Sequence, residues 1–253
     1  MSLPGEIVWD FFVNAVTLDD VIATIDDAVT TRAGSKTIFC ANPHSLMVAH
    51  TDPEFMTALQ CSEVLLPDGI GIVLASKIKT GLIKHRVSGT EVFEMLAHRW
   101  NQRTDRSFFF LGASAEVLRR MQARMAKEYP NIVVRGCFAP PIRPSFTEQE
   151  TLQMINTINA SAPDVLWVGM TAPKQEKWIF QNKARLHVPV MCAVGATFDF
   201  FAGTKKRAPA WLRNMGLEWL PRLLREPGRL WRRNFISTPI FLVNVLRDAW
   251  RGN

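Results

Sequence analysis

The sequence predicts an α/β fold: a Rossmann-like, mainly parallel sheet with helices on both faces, followed by a helical, basic C-terminal appendage. Three observations predict it. Short apolar runs of strand length alternate with amphipathic stretches of helix length through about Gly203. Those apolar runs show little in/out polar alternation, as expected of parallel strands covered on both faces. Beyond Gly203 only helical patterns remain, interrupted by Pro209, Pro221, Pro227 and Pro239. The expected division is therefore a core over 1–203 and an appendage over 204–253.

The elements follow in order. Glu6–Trp9 and Phe11–Val13 read as short strands, and Thr17 caps a helix with Asp19 and Asp20 in its first turn. Thr37–Ala41 is a strand that Asn42-Pro43 ends. Asp52 is the N-cap expected for a helix over Pro53–Gln60; Val64–Leu66 is the next strand, and Ile70–Ile78 the helix after it. Ser88 with Glu91 forms a capping box for a helix reaching Gln102. The strand Ser107–Leu111 feeds a helix capped by Ser114, and Ile132–Arg135 is a strand. Thr147 with Glu150 opens a helix to Ala160, Asp164–Val168 is a strand, Lys174–Arg185 a helix and Val190–Val194 a strand.

Composition narrows the class of protein. With 253 residues, 47% apolar and 21% charged, the chain can bury a full core and is not of disordered type. Cys40, Cys61, Cys137 and Cys192 are scattered without a CxxC pair, which fits reduced thiols better than disulfides or zinc. The first residues lack the basic-then-apolar pattern of a signal peptide, and no apolar stretch has spanning length. The expectation is a cytosolic protein. Its net charge of +7 is concentrated: from Thr204 onward eleven basic residues face three acidic ones, a net +8, which leaves −1 for the rest.

In an open parallel sheet, ligands bind beyond the carboxyl ends of the strands. Small polar residues and glycines gather there: Asn42-Pro43-His44, Asp68, Gly112-Ala113-Ser114, "GMTAPKQE" and "GATFDFFAG". Asp68 has two readings, a helix N-cap in an Asp-Gly turn or a general base at the sheet edge. Gly112–Ser114 can offer backbone N–H groups to a phosphate. Gln175 and Glu176 read either as ligand contacts or as the solvated first turn of a helix. Asp199 lies among aromatic residues and needs a hydrogen-bonding partner.

No DxD triplet, HExxH or Cys/His cluster of ligand spacing occurs, so no metal and no bound cofactor are expected. A dehydrogenase or methyltransferase would want GxGxxG after the first strand and an acid about twenty residues on, and neither is present. A non-catalytic, nucleotide-binding scaffold at a membrane would account for the appendage but not for polar residues at five strand ends. The appendage interleaves arginines with Trp211, Trp219, Trp231, Trp250 and "FISTPIFLVNVL". That apolar content favours an anionic membrane surface over nucleic acid.

"ANPHSL", "LLPDGIGIV", "HRVSGTEVF", "FFLGAS", "VGMTAPKQEKWI", "GATFDFFAGTKKRAP" and "GLEWLPRLLREPGRLWRR" follow one another as in the WecG/TagA/CpsF glycosyltransferases. The chain resembles that family from about residue 5 to about 240. The resemblance implies an inverting, metal-independent transfer of a sugar from a UDP-sugar to a polyprenyl-diphosphate-linked saccharide. It also implies an appendage that completes the site and holds the enzyme on the cytoplasmic face of the inner membrane, and a core able to self-associate as a homo-oligomer. Residue by residue, Asp68 matches the catalytic base. Asn42, Arg86 and Gln175 match donor-site positions, with Gly112, Ser114 and Asp199 expected beside them. Cys40 stands where the family often has threonine, a departure that removes a hydroxyl. Arg222, Arg225 and Arg229 match appendage arginines that reach the diphosphate. The donated sugar stays open.

Overall fold

The computed structural model describes residues 3–209, 211–212, 215, 219–225, 228 and 231–251. Six parallel strands form the central sheet: β3 (Lys36–Ala41), β4 (Val64–Pro67), β5 (Ser107–Gly112), β6 (Val133–Phe138), β7 (Val165–Gly169) and β8 (Val190–Ala193). They lie in the order β4-β3-β8-β7-β5-β6. The first two strands, β1 (Gly5–Val8) and β2 (Phe11–Asn14), pair antiparallel with each other and stay outside this sheet. The hairpin nevertheless seals an edge, because the Asn14 Oδ1 accepts the Leu65 N–H of edge strand β4 at 2.8 Å.

Burial on both faces explains the uninterrupted apolar strands. Phe109, Leu111, Leu166, Val168, Met191 and Ala193 enter one core. Their sequence neighbours Phe108, Phe110, Val165, Trp167, Val190 and Cys192 enter the other. All are essentially inaccessible, and each large side chain so buried contributes about 1.5–3 kcal/mol. The first core is covered by α2 (Pro43–Ala49), α3 (Pro53–Gln60), α4 (Ile70–Lys79), α7 (Glu148–Ser161) and α8 (Lys174–Asn182). The second lies under α1 (Leu18–Thr31), α5 (Gly89–Trp100), α6 (Ala115–Glu128) and α9 (Thr197–Phe201).

Capping sets several boundaries as expected. Thr17, Ser88 and Thr147 each form a reciprocal box with the acid three residues on. Two short helices depart from the sequence reading. Asn42-Pro43 ends β3 but also starts α2, since Asn42 Oδ1 takes the Ser45 N–H at 3.0 Å and Pro43 sits in the first turn, where its missing N–H is harmless. The "TFDFF" stretch after β8 winds into α9. Strand β6 runs three residues beyond Arg135, to Phe138.

After residue 209 the described elements are helical: α10 (Trp219–Arg225), a π-helical run Arg232–Ser237, and α11 (Thr238–Arg251). Helix α11 packs on α4 and α2, burying Phe241 and Val245 completely in the first core. Lys79 reaches across to Asp248 at 2.6 Å. Ile240, Val243, Leu246 and Trp250 of α11 stay exposed, as do Trp211, Leu224, Trp231 and Phe235 before it. No helix among the described residues is long and apolar enough to cross a membrane.

Candidate active site

All six strands are parallel, so their carboxyl ends share one edge. Strand β5 leads outward to β6 while β7 leads back to β8, so the connections diverge between β5 and β7. At that divide Gly112 and Gly169 are paired in register. A Cβ on Gly112 would lie 2.8 Å from the Gly169 carbonyl carbon and oxygen, and Gly112 has φ +118°. Only glycine permits that approach with that backbone. Ala113 follows at φ +57° and donates its N–H to the Gly169 carbonyl at 3.1 Å. The Ser114 hydroxyl caps α6 by accepting the Val117 N–H at 3.3 Å. The Ala113 and Val117 N–H groups are therefore engaged within the protein, which leaves Ala115 and Glu116 as the first-turn amides of α6 without an intrahelical acceptor.

Two strands away, β3 and β4 pair Cys40 with Leu66 and Ala41 with Pro67. The Asp68 N–H donates to the Ala41 carbonyl at 2.8 Å, which pins the aspartate beside Asn42. Gly69, not Asp68, is the N-cap of α4, and no side chain caps that helix end. The N-cap reading of Asp68 is thereby corrected: a chain leaving β4 through Gly69 at φ +110° puts the carboxylate one residue too early. Instead the Asp68 Oδ1 lies 4.0 Å from the Arg86 Nη1, with Asp68 31% and Arg86 16% exposed at the side chain. Arg86 is delivered by the loop after α4, which is tied to the end of β4 by the Val87 N–H on the Pro67 carbonyl at 3.0 Å. Its Nη2 donates to the Glu91 Oε1 at 2.6 Å.

Cys40 lies under the same edge, its thiol 3.9 Å from the Ala193 carbonyl oxygen. Burial pushes that thiol well above its usual range, and the Asp68 and Glu176 carboxylates push it further. Gly89 leaves room for it, since a Cβ there would come within 3.3 Å of the Cys40 Sγ.

The first turn of α8 is buried rather than solvated: Gln175 is 4% and Glu176 2% exposed. The Gln175 Oε1 accepts the Gly195 N–H at 3.1 Å, and its Nε2 donates to the Glu176 Oε1 at 2.8 Å. This amide straps the end of β7 to the end of β8. Burial raises the Glu176 carboxyl to about 7, outweighing the hydrogen bond from Gln175. Its Oε2 meets no donor among the described residues.

Asp199 is placed differently from the others. Its Oδ1 accepts from the Thr204 hydroxyl at 3.1 Å, its carbonyl takes the Thr204 and Lys205 N–H groups, and its Oδ2 lies 3.7 Å from the Lys205 Nζ. Asp199 thus builds the turn out of α9, which satisfies the partner its aromatic surroundings demand. Arg222 and Arg225 belong to α10, their side chains lying outside the described residues, as does Arg229 altogether.

The last helices return to this edge, through contacts that no stretch of the sequence specifies by itself. His44 Nδ1 is 3.0 Å from the Ser237 hydroxyl. Gly71 lets Pro43 and Thr238 close over the start of α4, where a Cβ would lie 2.4 Å from the Pro43 Cγ and 3.6 Å from the Thr238 Cγ2. The shallow depression of about 550 Å³ bounded by Ser35, Cys61 and Lys183 lies at the opposite edge, by the strands' amino ends. No group of three or more His, Cys, Asp or Glu among the described residues could hold a metal ion.

An edge that presents a partly exposed carboxylate beside a guanidinium, two strands from a divide between diverging connections, belongs to an α/β enzyme acting on a polar ligand. The chain is a member of the glycosyl transferase WecG/TagA/CpsF family, whose model matches residues 7–253. It is 32% identical over 211 residues to an N-acetylglucosaminyldiphosphoundecaprenol N-acetyl-β-D-mannosaminyltransferase of Bacillus subtilis (strain 168), covering 83% of this chain and 79% of that one. A protein of the same name from Staphylococcus aureus (strain MW2) is 32% identical over 213 residues, again covering 83% and 79%. The chain is accordingly a glycosyltransferase.

Proposed function

We propose that this enzyme moves an N-acetylated hexosamine, N-acetylmannosamine in the first instance, from a UDP-sugar to N-acetylglucosamine on a polyprenyl diphosphate. The transferred sugar and the acceptor follow the names that the relatives carry, and the UDP-sugar follows the family resemblance. Asp68 carries the mechanistic reading: a carboxylate at the carboxyl edge, not used as a helix cap, facing Arg86 at 4.0 Å.

In this mechanism the donor diphosphate lies between the Gly112–Ser114 turn and Arg86. Asn42, Cys40 and Gln175 shape the floor, and Arg222, Arg225 and Arg229 supply further positive charge. Asp68 removes the proton from the acceptor hydroxyl as its oxygen bonds to the anomeric carbon. The bond from that carbon to the UDP oxygen breaks, and UDP leaves with the electron pair. A guanidinium near the leaving oxygens stabilises the charge that develops there. A single displacement of this kind inverts an α-linked donor to a β-linked product. The reaction uses no metal in this reading, so EDTA leaves it unchanged.

The exposed aromatic and aliphatic residues of α10 and α11, with the basic charge around them, support residence on an anionic membrane surface, in this reading the cytoplasmic face of the inner membrane. Residues 204–253 act there as a unit that both completes the site and touches lipid.

The test is UDP release from UDP-N-acetylmannosamine with a synthetic polyprenyl-diphosphate N-acetylglucosamine acceptor, for wild type and Asp68→Asn. A positioned base is worth about 10²–10⁴-fold, so the variant loses turnover by that factor while its melting temperature is unchanged. An Asp68→Asn enzyme as fast as wild type removes Asp68 from the reaction.

A further inference from the structure

Arg86 is held from behind as well as in front. Its partner Glu91 stands in the first turn of α5, where Ser88 donates to the Glu91 Oε2 through both N–H and hydroxyl, at 3.0 and 2.7 Å. The other oxygen, Oε1, is shared between two guanidinium groups: Arg86 Nη2 at 2.6 Å and Arg207 Nη2 at 3.6 Å. Arg207 also donates through Nη1 to the Glu94 Oε2 at 2.9 Å, one turn along the same helix. Its side chain is only 12% exposed, and the neighbouring Ala208 is 5% exposed, so the segment is seated on α5. Burial alone would raise the Glu91 carboxyl; Arg86, the Ser88 donors and Arg207 together hold it below the usual range. Charges therefore alternate along one line: Asp68, Arg86, Glu91, Arg207, Glu94.

We propose that Arg207 is a positioning residue which, by sharing the Glu91 carboxylate, fixes Arg86 beside Asp68 and ties the segment entering the last helices to the active site. This rests on the mechanism above. Glu91 with a single guanidinium partner would draw Arg86 wholly to itself, because an ion pair in a partly buried setting strengthens when its competitor is removed. Arg86 would then withdraw from Asp68 and from the donor diphosphate. Arg207 itself touches neither. Its fork spans two carboxylates on one helix, a geometry lysine cannot copy.

The experiment compares UDP release at saturating donor and acceptor for Arg207→Met, Arg207→Lys, Arg86→Met and the double variant Arg86→Met/Arg207→Met, alongside Asp68→Asn. Misplacement of about 1 Å in a reacting constellation lowers turnover by up to about 10²-fold. Arg207→Met is expected to lose about ten- to a hundredfold in kcat and Arg207→Lys less, with KM for the donor rising in the same order because Arg86 leaves the diphosphate. The double variant is expected to be no slower than Arg86→Met, since Arg207 acts only through Arg86. Where Arg207→Met fails to fold, Arg207→Gln carries the test: it keeps a donor for Glu94 and removes the charge that shares the Glu91 carboxylate, and the same loss in kcat is expected.

Wild-type kcat in Arg207→Met, or losses that multiply in the double variant, overturns the proposal. A fully active Asp68→Asn enzyme overturns the base assignment instead. In that case non-multiplying losses still identify Arg207 as the residue that places Arg86.

Discussion

Replacing Gly112 with alanine tests whether the close approach of β5 and β7 is a structural necessity at the divide where the donor is proposed to lie. Two penalties combine. The backbone at φ +118° is one that L side chains rarely adopt, and such strain costs about 1–3 kcal/mol. The added Cβ would also lie 2.8 Å from Gly169 backbone atoms. Backbone cannot swing aside as a side-chain end can, and overpacking of this kind costs about 1–3 kcal/mol more. The total of about 2–6 kcal/mol corresponds to a fall in melting temperature of roughly 5–20 °C in a protein of this size. Gly34→Ala separates the terms, since Gly34 has φ +89° but nothing within 4 Å of the added Cβ. It should lose only the strain, roughly 2–10 °C. The assay is thermal unfolding by circular dichroism for the three proteins, with and without UDP. Equal losses in Gly112→Ala and Gly34→Ala would show that contact with Gly169 contributes nothing and would refute the tight β5–β7 approach.

Two further outcomes are expected. Phe241→Ala, which empties a fully buried site facing Trp9 at 5.9 Å between ring centroids, should cost about 3–5 kcal/mol; limited proteolysis should then cut within 204–253 at a trypsin dose that leaves wild type whole. Glu176→Gln should change how stability varies with pH. The buried carboxyl keeps its proton up to about 7, whereas in the unfolded chain it ionises near 4.5. Between those values the folded state binds more protons than the unfolded state, so this residue's contribution falls as pH rises, by a few kcal/mol in all. The melting temperature of Glu176→Gln relative to wild type should therefore climb from about pH 5 to pH 7 and level off above; a flat difference across that range would show that Glu176 titrates normally.

The strands were legible because burial on both faces leaves a mark no neighbouring residue can disguise: "SFFFL" and "VLWV" have no polar side to show. Helix caps were legible for the same reason of locality, since Thr17, Ser88 and Thr147 act within one turn. Helix α2 was not, because Asn42-Pro43 carries two opposite meanings, a strand stop and a helix start, and seven residues are too few for periodicity to choose between them. Gln175 and Glu176 could be read as a solvated turn as readily as ligand contacts, because their polarity says nothing of the ends of β7 and β8 that close over them.

The site divides along the same line. As candidates, Asp68 and the Gly112 turn could be read from their places after strands together with the family pattern, and Arg86 from the family pattern alone. The role of Asp68 as something other than a cap, the strap from Gln175 to Gly195, and the meeting of Arg207 with Glu91 required the folded chain. Sequence by itself determined the local choices of strand, helix and cap, because these depend on interactions spanning a few residues. Tertiary structure alone decided which charges share a carboxylate and where the last helix comes to rest. Those contacts join segments that meet only after the sheet has ordered its strands, and their strength depends on a burial that no single stretch of sequence specifies.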